Sequence, residues 1–144
     1  MCMMLYIGSD RELPLIDWQD GCVFSVRKLL PNDSYGDSLF ATENLKKPHK
    51  YQLGSWQGCG CGFSFDYDKF GYEEDNLLGK QSLAALFDYL RANIGGGDFE
   101  LLSFWSGEWI CEPGEILRLS DLSDSVFGEK SFYFAEGEIV QVVA

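Results

Sequence analysis

The chain has 144 residues, 46% hydrophobic and 15% aromatic, which supplies one core and leaves little room for a second domain. Charged residues make up 24%, an ordinary share that argues against a disordered chain. The formal net charge is −12 and the only basic cluster is Lys46, Lys47 and Lys50, so no nucleic acid and no anionic membrane is expected as a partner. A basic protein, a cation or simple solubility fits that charge.

The opening Met-Cys-Met-Met-Leu-Tyr-Ile lacks the positive stretch of an export signal, and no apolar run is long enough to cross a bilayer. Five cysteines is an odd count. Together these features predict free thiols and a cytoplasmic location rather than a disulfide framework.

Residues 2–7 read as a buried strand of sulfur-bearing and large apolar side chains. After the turn signal Asp20-Gly21, residues 22–29 read as a second strand. Residues 31–50 are polar and carry Pro31, Gly36 and Pro48, which predicts loop with a short strand at 38–42. Residues 51–54 and 64–67 are further strand candidates on either side of a glycine-cysteine bend.

The main helix is expected over 80–94. Leu83, Leu86, Phe87, Leu90 and Ile94 recur at three- and four-residue steps, and Gly95-Gly96-Gly97 stops them. Strands follow at 99–105, 109–111 and 116–119, with Ser106-Gly107 as a hairpin turn between the first two. Asp121 is placed to cap a short helical turn. Two β-prone runs, 132–135 and 138–143, flank Glu136-Gly137 and predict a C-terminal β-hairpin. The expected fold is a single α+β domain, 1–144, with a mostly antiparallel sheet of about six to eight strands and the helix on one face.

Chemistry concentrates at Gly58-Cys59-Gly60-Cys61-Gly62. Two thiols one residue apart can ligate a soft metal or exchange as a disulfide, and glycines let the backbone bend around either. No second cysteine pair completes a four-ligand zinc site. Cys2, Cys22, Cys111 and His49 are single candidates, and two small thiols buried in a bend between strands is the plain alternative. Cofactors are accordingly none, with zinc or iron as the option at Cys2, Cys59 and Cys61. A phosphate-binding reading fails for want of a lysine after the glycines. Asp66, Asp68 and Gly71 imitate a calcium loop, but Phe70 and Leu77 occupy ligand positions.

A Cys–His pair would have to use His49, the one histidine. Removal of Met1 would give Cys2 a free amine beside its thiol. Glu112 with Glu115 and Asp121 with Asp124 are carboxylate pairs of the kind expected by chance among 23 acids. Trp56, Trp105 and Trp109 flank the glycine bend and the segment after the helix, where they line a pocket, anchor a partner or pack the core.

The opening Cys2-x-x-Leu5-Tyr6-Ile7 and the segment Leu53-Gly54-Ser55-x-x-Gly58-Cys59-Gly60-Cys61-Gly62-Phe63 together resemble a family of uncharacterised small bacterial proteins. The resemblance covers under a fifth of the chain and carries over no activity. It makes Cys2, Cys59 and Cys61 a group to follow. Three functions stand from the sequence: a non-catalytic protein whose acidic, aromatic surface meets a basic partner, as an immunity protein does; a thiol-based metal or redox protein; and a small hydrolase with a cysteine or carboxylate site.

Overall fold

The computed structural model describes residues 2–30 and 36–144. Six strands form the main sheet: β1 (Met3–Ser9), β2 (Phe24–Lys28), β3 (His49–Ser55), β5 (Asp98–Trp105), β6 (Glu112–Arg118) and β8 (Glu138–Val143). Their order is β2-β3-β1-β5-β8-β6. Every neighbouring pair is antiparallel except β6 with β8. Two short strands, β4 (Phe65–Asp66) and β7 (Ser131–Phe132), make a second sheet. The architecture is α+β, as the sequence leads one to expect.

Side-chain alternation along β1 divides the core into two layers. Leu5 and Ile7 join Val26, Leu53, Leu101 and Val142 under the long helix α2 (Glu73–Ile94). The intended stripe of α2 does the covering: Leu83, Leu86, Phe87 and Leu90 are fully buried. Tyr6 points the other way and joins Leu102 and Phe104 under α1 (Gly36–Asn44), which contributes Ala41 to that layer. The Tyr6 and Phe104 rings stack at 5.6 Å and 8°, and Phe40 of α1 meets Phe104 edge-on at 4.9 Å.

Five expectations need correction. The strand expected at 38–42 is part of helix α1. Five residues are too few to separate a period of 2 from one of 3.6, and Ala41 with Leu45 turns out to mark a helical face. The rest of that predicted loop at 31–35 lies outside the described residues.

The main helix begins at Glu73, seven residues early. Its first two turns pack on β4 and the bend before it rather than on the main sheet, through Asn76 and Gly79, so no apolar period announces them. Glu73, Glu74 and Asp75 instead place negative charge at the helix's positive end.

Neither hairpin forms. Gly107 does turn the chain at φ +81°, but residues 109–111 are not a strand and β6 lies beyond β8 from β5. At the C-terminus, Phe132 pairs with Phe65, while β8 runs between β5 and β6. The parallel β6–β8 pair demands a crossover, and the intervening segment supplies one with helix α3 (Leu119–Gly128). Asp121 sits within the first turn of α3 rather than capping it.

Candidate metal centre

The register of β1 on β3 builds the site. Leu5 and Leu53 are the last pair of that ladder, and beyond them the bend that follows the end of β3 lies against the start of β1. The chain leaves β3 through Ser55-Trp56-Gln57-Gly58, turns at Gly58 with φ +84°, and closes a 3-10 turn over Gly60–Gly62. A left-handed residue at that corner calls for glycine.

Ser55, fully buried, organises the bend. Its hydroxyl donates to the Cys59 carbonyl at 2.6 Å and accepts from the Gly62 N–H at 3.0 Å and the Gln57 N–H at 3.3 Å. Its own N–H donates to the same Cys59 carbonyl at 2.9 Å. The Ser64 hydroxyl holds the Cys61 carbonyl at 2.7 Å, and the Ser106 N–H holds the Cys2 carbonyl at 2.7 Å. The Trp56 N–H donates to the Ser82 hydroxyl of α2 at 3.0 Å. Gly60 lies flat on β1: a Cβ there would stand 2.8 Å from the Met3 carbonyl oxygen and 3.1 Å from the Leu5 nitrogen. Any side chain at 60 would push both flanking cysteines away from β1.

The result is that the sulfurs of Cys2, Cys59 and Cys61 all lie within 4.8 Å of one another. Three sulfurs bound trigonally to one ion at ~2.3 Å stand ~4 Å apart, so the cluster needs to contract by less than about an ångström to hold one. The Met3 N–H donates to Cys61 Sγ at 3.0 Å, which holds that sulfur at the start of β1. Cys2 is exposed, while Cys59 and Cys61 are half-buried. Burial pushes the Cys59 thiol up to about 12, with the Cys61 and Cys2 side chains adding to the rise. Cys59 without a metal therefore keeps its proton at neutral pH, which suits a ligand that yields it to a metal and not a ready nucleophile.

The other single candidates stand apart. His49 opens β3, six residues or ~20 Å along the strand from Ser55, and is not in the sulfur group. No Cys–His pair with the thiol bend is formed. Cys22 Sγ accepts from the Gln19 N–H at 3.5 Å in its own turn, and Cys111 packs on the α1 side of the sheet. All five cysteines are free.

Trp56 and Trp105 border Cys61 from two sides. A cavity of about 260 Å³ is lined by Trp56, Cys61, Tyr72 and Asp75 among others, and one of about 180 Å³ by Met3, Cys61, Trp105 and Glu136 among others. Trp109 is separate: its indole N–H donates to Asp37 at 2.9 Å, tying the turn after β5 to α1. The Asp66 carboxylate accepts from the Asp68 N–H at 3.0 Å and the Tyr133 hydroxyl at 3.3 Å, so the calcium-like loop is closed on itself. Sequence reasoning missed Ser55, Ser64 and Gly79 as supports. The available signal was a small hydroxyl residue at a strand end entering a glycine turn, where such side chains bond nearby backbone.

No protein-family model matches the chain, and no curated protein or solved structure is detectably similar to it. The class defined by fold and geometry is an α+β protein with a three-thiol cluster where two strand ends meet. Among the described residues no helix is long and apolar enough to cross a membrane.

Proposed function

We propose that the protein binds a thiophilic metal ion through Cys2, Cys59 and Cys61. The carrying observation is the convergence of the Cys2 sulfur with those of Cys59 and Cys61, 57 and 59 residues further along the chain, all within 4.8 Å. Soft thiolates recruit copper(I), zinc and iron–sulfur centres. The supporting backbone bonds from Ser55, Ser64 and Ser106 give the donors a fixed frame before any ion arrives. Free thiols throughout fit a reducing compartment such as the cytoplasm.

The test is elemental analysis joined to native mass spectrometry on protein purified without oxygen or chelators. One ion per chain is expected, lost in Cys59→Ser and Cys61→Ser. A metal-free wild type that also refuses added zinc and copper(I) overturns the reading.

A second reading concerns the acidic, aromatic surface and a basic protein partner. It is favoured by one observation: Phe70 is 96% exposed, with exposed Tyr67 and Tyr72 on either side of it and Glu73, Glu74 and Asp75 adjoining. A ring held wholly in water beside a block of acids is suited to insertion into an apolar pocket on a cationic partner. Affinity capture from native lysate with wild type and Phe70→Ala tests it, and equal recovery by both chains at low salt counts against it.

A further inference from the structure

We infer that the ion this site selects is copper(I), held by three sulfurs and no other donor; this rests on the metal-binding reading above. The argument is one of number and kind of ligand. Zinc sites are built around four positions, either four protein ligands or three with an open place for water. Here the group contains three sulfurs, and among the described residues no His, Asp or Glu joins it. Copper(I) has a filled d shell, carries a single charge and is satisfied by two or three soft ligands, so the cluster is complete for copper(I), whereas zinc here would need a water as its fourth ligand.

The surroundings on the Trp105 side point the same way, whereas the cavity on the Trp56 side of Cys61 is polar, with Asp66, Asp75 and Asn76 in its walls. The acid sharing a cavity with Cys61 on the Trp105 side is Glu136, which is exposed and outside the sulfur group. Apart from it, that cavity is lined by Met3, Gly60, Phe63, Trp105 and Phe134, and by Ser64 and Tyr133, whose hydroxyls already bond the Cys61 carbonyl and the Asp66 carboxylate. Such walls offer a zinc-bound water few partners, whereas a three-sulfur copper(I) site needs none.

The frame also matches the coordination number. Gly60 presses the bend onto β1 so that Cys59 and Cys61 come beside Cys2, which immediately precedes that strand. The ion enters from the Cys2 side, because Cys2 is the exposed ligand and the other two are half-buried. On binding, each thiol gives its proton to solvent as its sulfur takes the ion. Copper arrives and stays as copper(I), so no electron is transferred. When copper(I) comes from a thiolate carrier, Cys2 displaces the carrier's sulfur first, that sulfur taking up a proton and leaving as the thiol, and the pinned pair then completes the shell.

The experiment uses the full chain under anaerobic conditions. Copper(I) is titrated in competition with bicinchoninate, zinc in competition with 4-(2-pyridylazo)resorcinol, and both loaded forms are examined by X-ray absorption. One copper(I) per chain is expected, with three sulfur scatterers and no nitrogen or oxygen. Cys59→Ser and Cys61→Ser should each lower copper(I) affinity by ~100-fold or more, at or beyond the upper end of what loss of a supporting group costs. Thermal melts of the metal-free variants, matched to wild type, establish that they fold. Glu136→Gln should change nothing. A nitrogen or oxygen neighbour in the copper form overturns the inference. So does a Glu136→Gln loss as large as a cysteine variant's, or zinc held as tightly as copper(I). In each of these cases metal binding itself survives. Refusal of both ions overturns the underlying reading as well.

Discussion

Replacing Gly79 with alanine sets two physical effects against each other, and the structure decides the sign. Gly79 lies inside α2, where alanine is favoured over glycine by ~1 kcal/mol. A Cβ at 79, however, would stand 1.9 Å from the Ser64 carbonyl oxygen, 3.1 Å from the Ser64 carbonyl carbon and 3.3 Å from the Gly62 carbonyl oxygen. These are backbone atoms of the segment that holds Cys61, so no side chain can swing aside. Relieving the contact requires moving helix or loop by more than about an ångström, and overpacking of this kind costs ~1–3 kcal/mol, here at the upper end. Setting ~3 against ~1 leaves a net loss of ~2 kcal/mol, or ~4–8 °C in melting temperature for a chain of this size. Urea unfolding followed by tryptophan fluorescence reads the change as a lower midpoint at unchanged slope. Gly128→Ala is the control, since nothing lies within 4 Å of a Cβ there, and it should be neutral or stabilising. If Gly79→Ala is instead more stable than wild type by ~1 kcal/mol, propensity alone rules and the close approach of α2 to the thiol bend is refuted.

Three further outcomes follow from the same contacts. Ser55→Ala leaves the buried Gly62 N–H without its acceptor and removes one of two donors to Cys59, which should cost ~1–3 kcal/mol in urea unfolding and weaken metal binding; unchanged stability would deny Ser55 its organising place. In the metal-free protein, alkylation of Cys59 by iodoacetamide should stay slow at ordinary assay pH and accelerate only toward pH 12, because burial holds the thiol protonated; peptide mass spectrometry reads it, and a rate at neutral pH equal to that of an unburied thiol contradicts the prediction. Burial of Asp37 raises its carboxyl, but hydrogen bonds from Ser106, Trp109 and Gly107 more than offset this and hold it below its ordinary 3.8. A depressed carboxylate stabilises the fold above the unfolded-state value, and that contribution is lost as pH falls through the folded one. Asp37→Asn should therefore flatten the acid limb of the stability profile, and an identical limb in the variant would exclude Asp37 as its source.

The parts of the fold legible in the sequence are those whose burial is one-sided and regular. Leu83, Leu86, Phe87 and Leu90 repeat because a helix laid on a sheet buries one stripe, and the stripe disclosed the helix body and its glycine stop. The first turns of α2 pack through Asn76, whose side chain bonds the Asp66 N–H and carbonyl at 3.0 and 2.9 Å, and through Gly79. Polar and vanishing side chains leave no hydrophobic period, so those turns were invisible. The hairpins failed for a different reason. Residues 132–135 and 138–143 have strand chemistry, but chemistry alone does not name the partner. β8 gains more by lying between β5 and β6, with Val142 fully buried, than by folding back on a neighbour.

The site shows the same division between local and nonlocal information. Cys59 and Cys61 announce themselves by their spacing, because adjacency in sequence guarantees adjacency in space. Cys2 does not, since its distance from them is set by a strand register that is fixed by which face of β1 is buried. With Leu5 and Ile7 facing α2, β1 pairs with β3 so that Leu5 meets Leu53; a slip of one residue would carry Tyr6 into that layer. The core that selects this register is thus also what delivers the third sulfur. A mutation that repacks β1 without touching any cysteine, such as a polar residue at Leu5, attacks the three-thiol cluster through the fold. The reverse coupling is equally direct: an ion bridging Cys2 to Cys59 and Cys61 clamps the N-terminal strand to the loop after β3 and stabilises the native state by mass action.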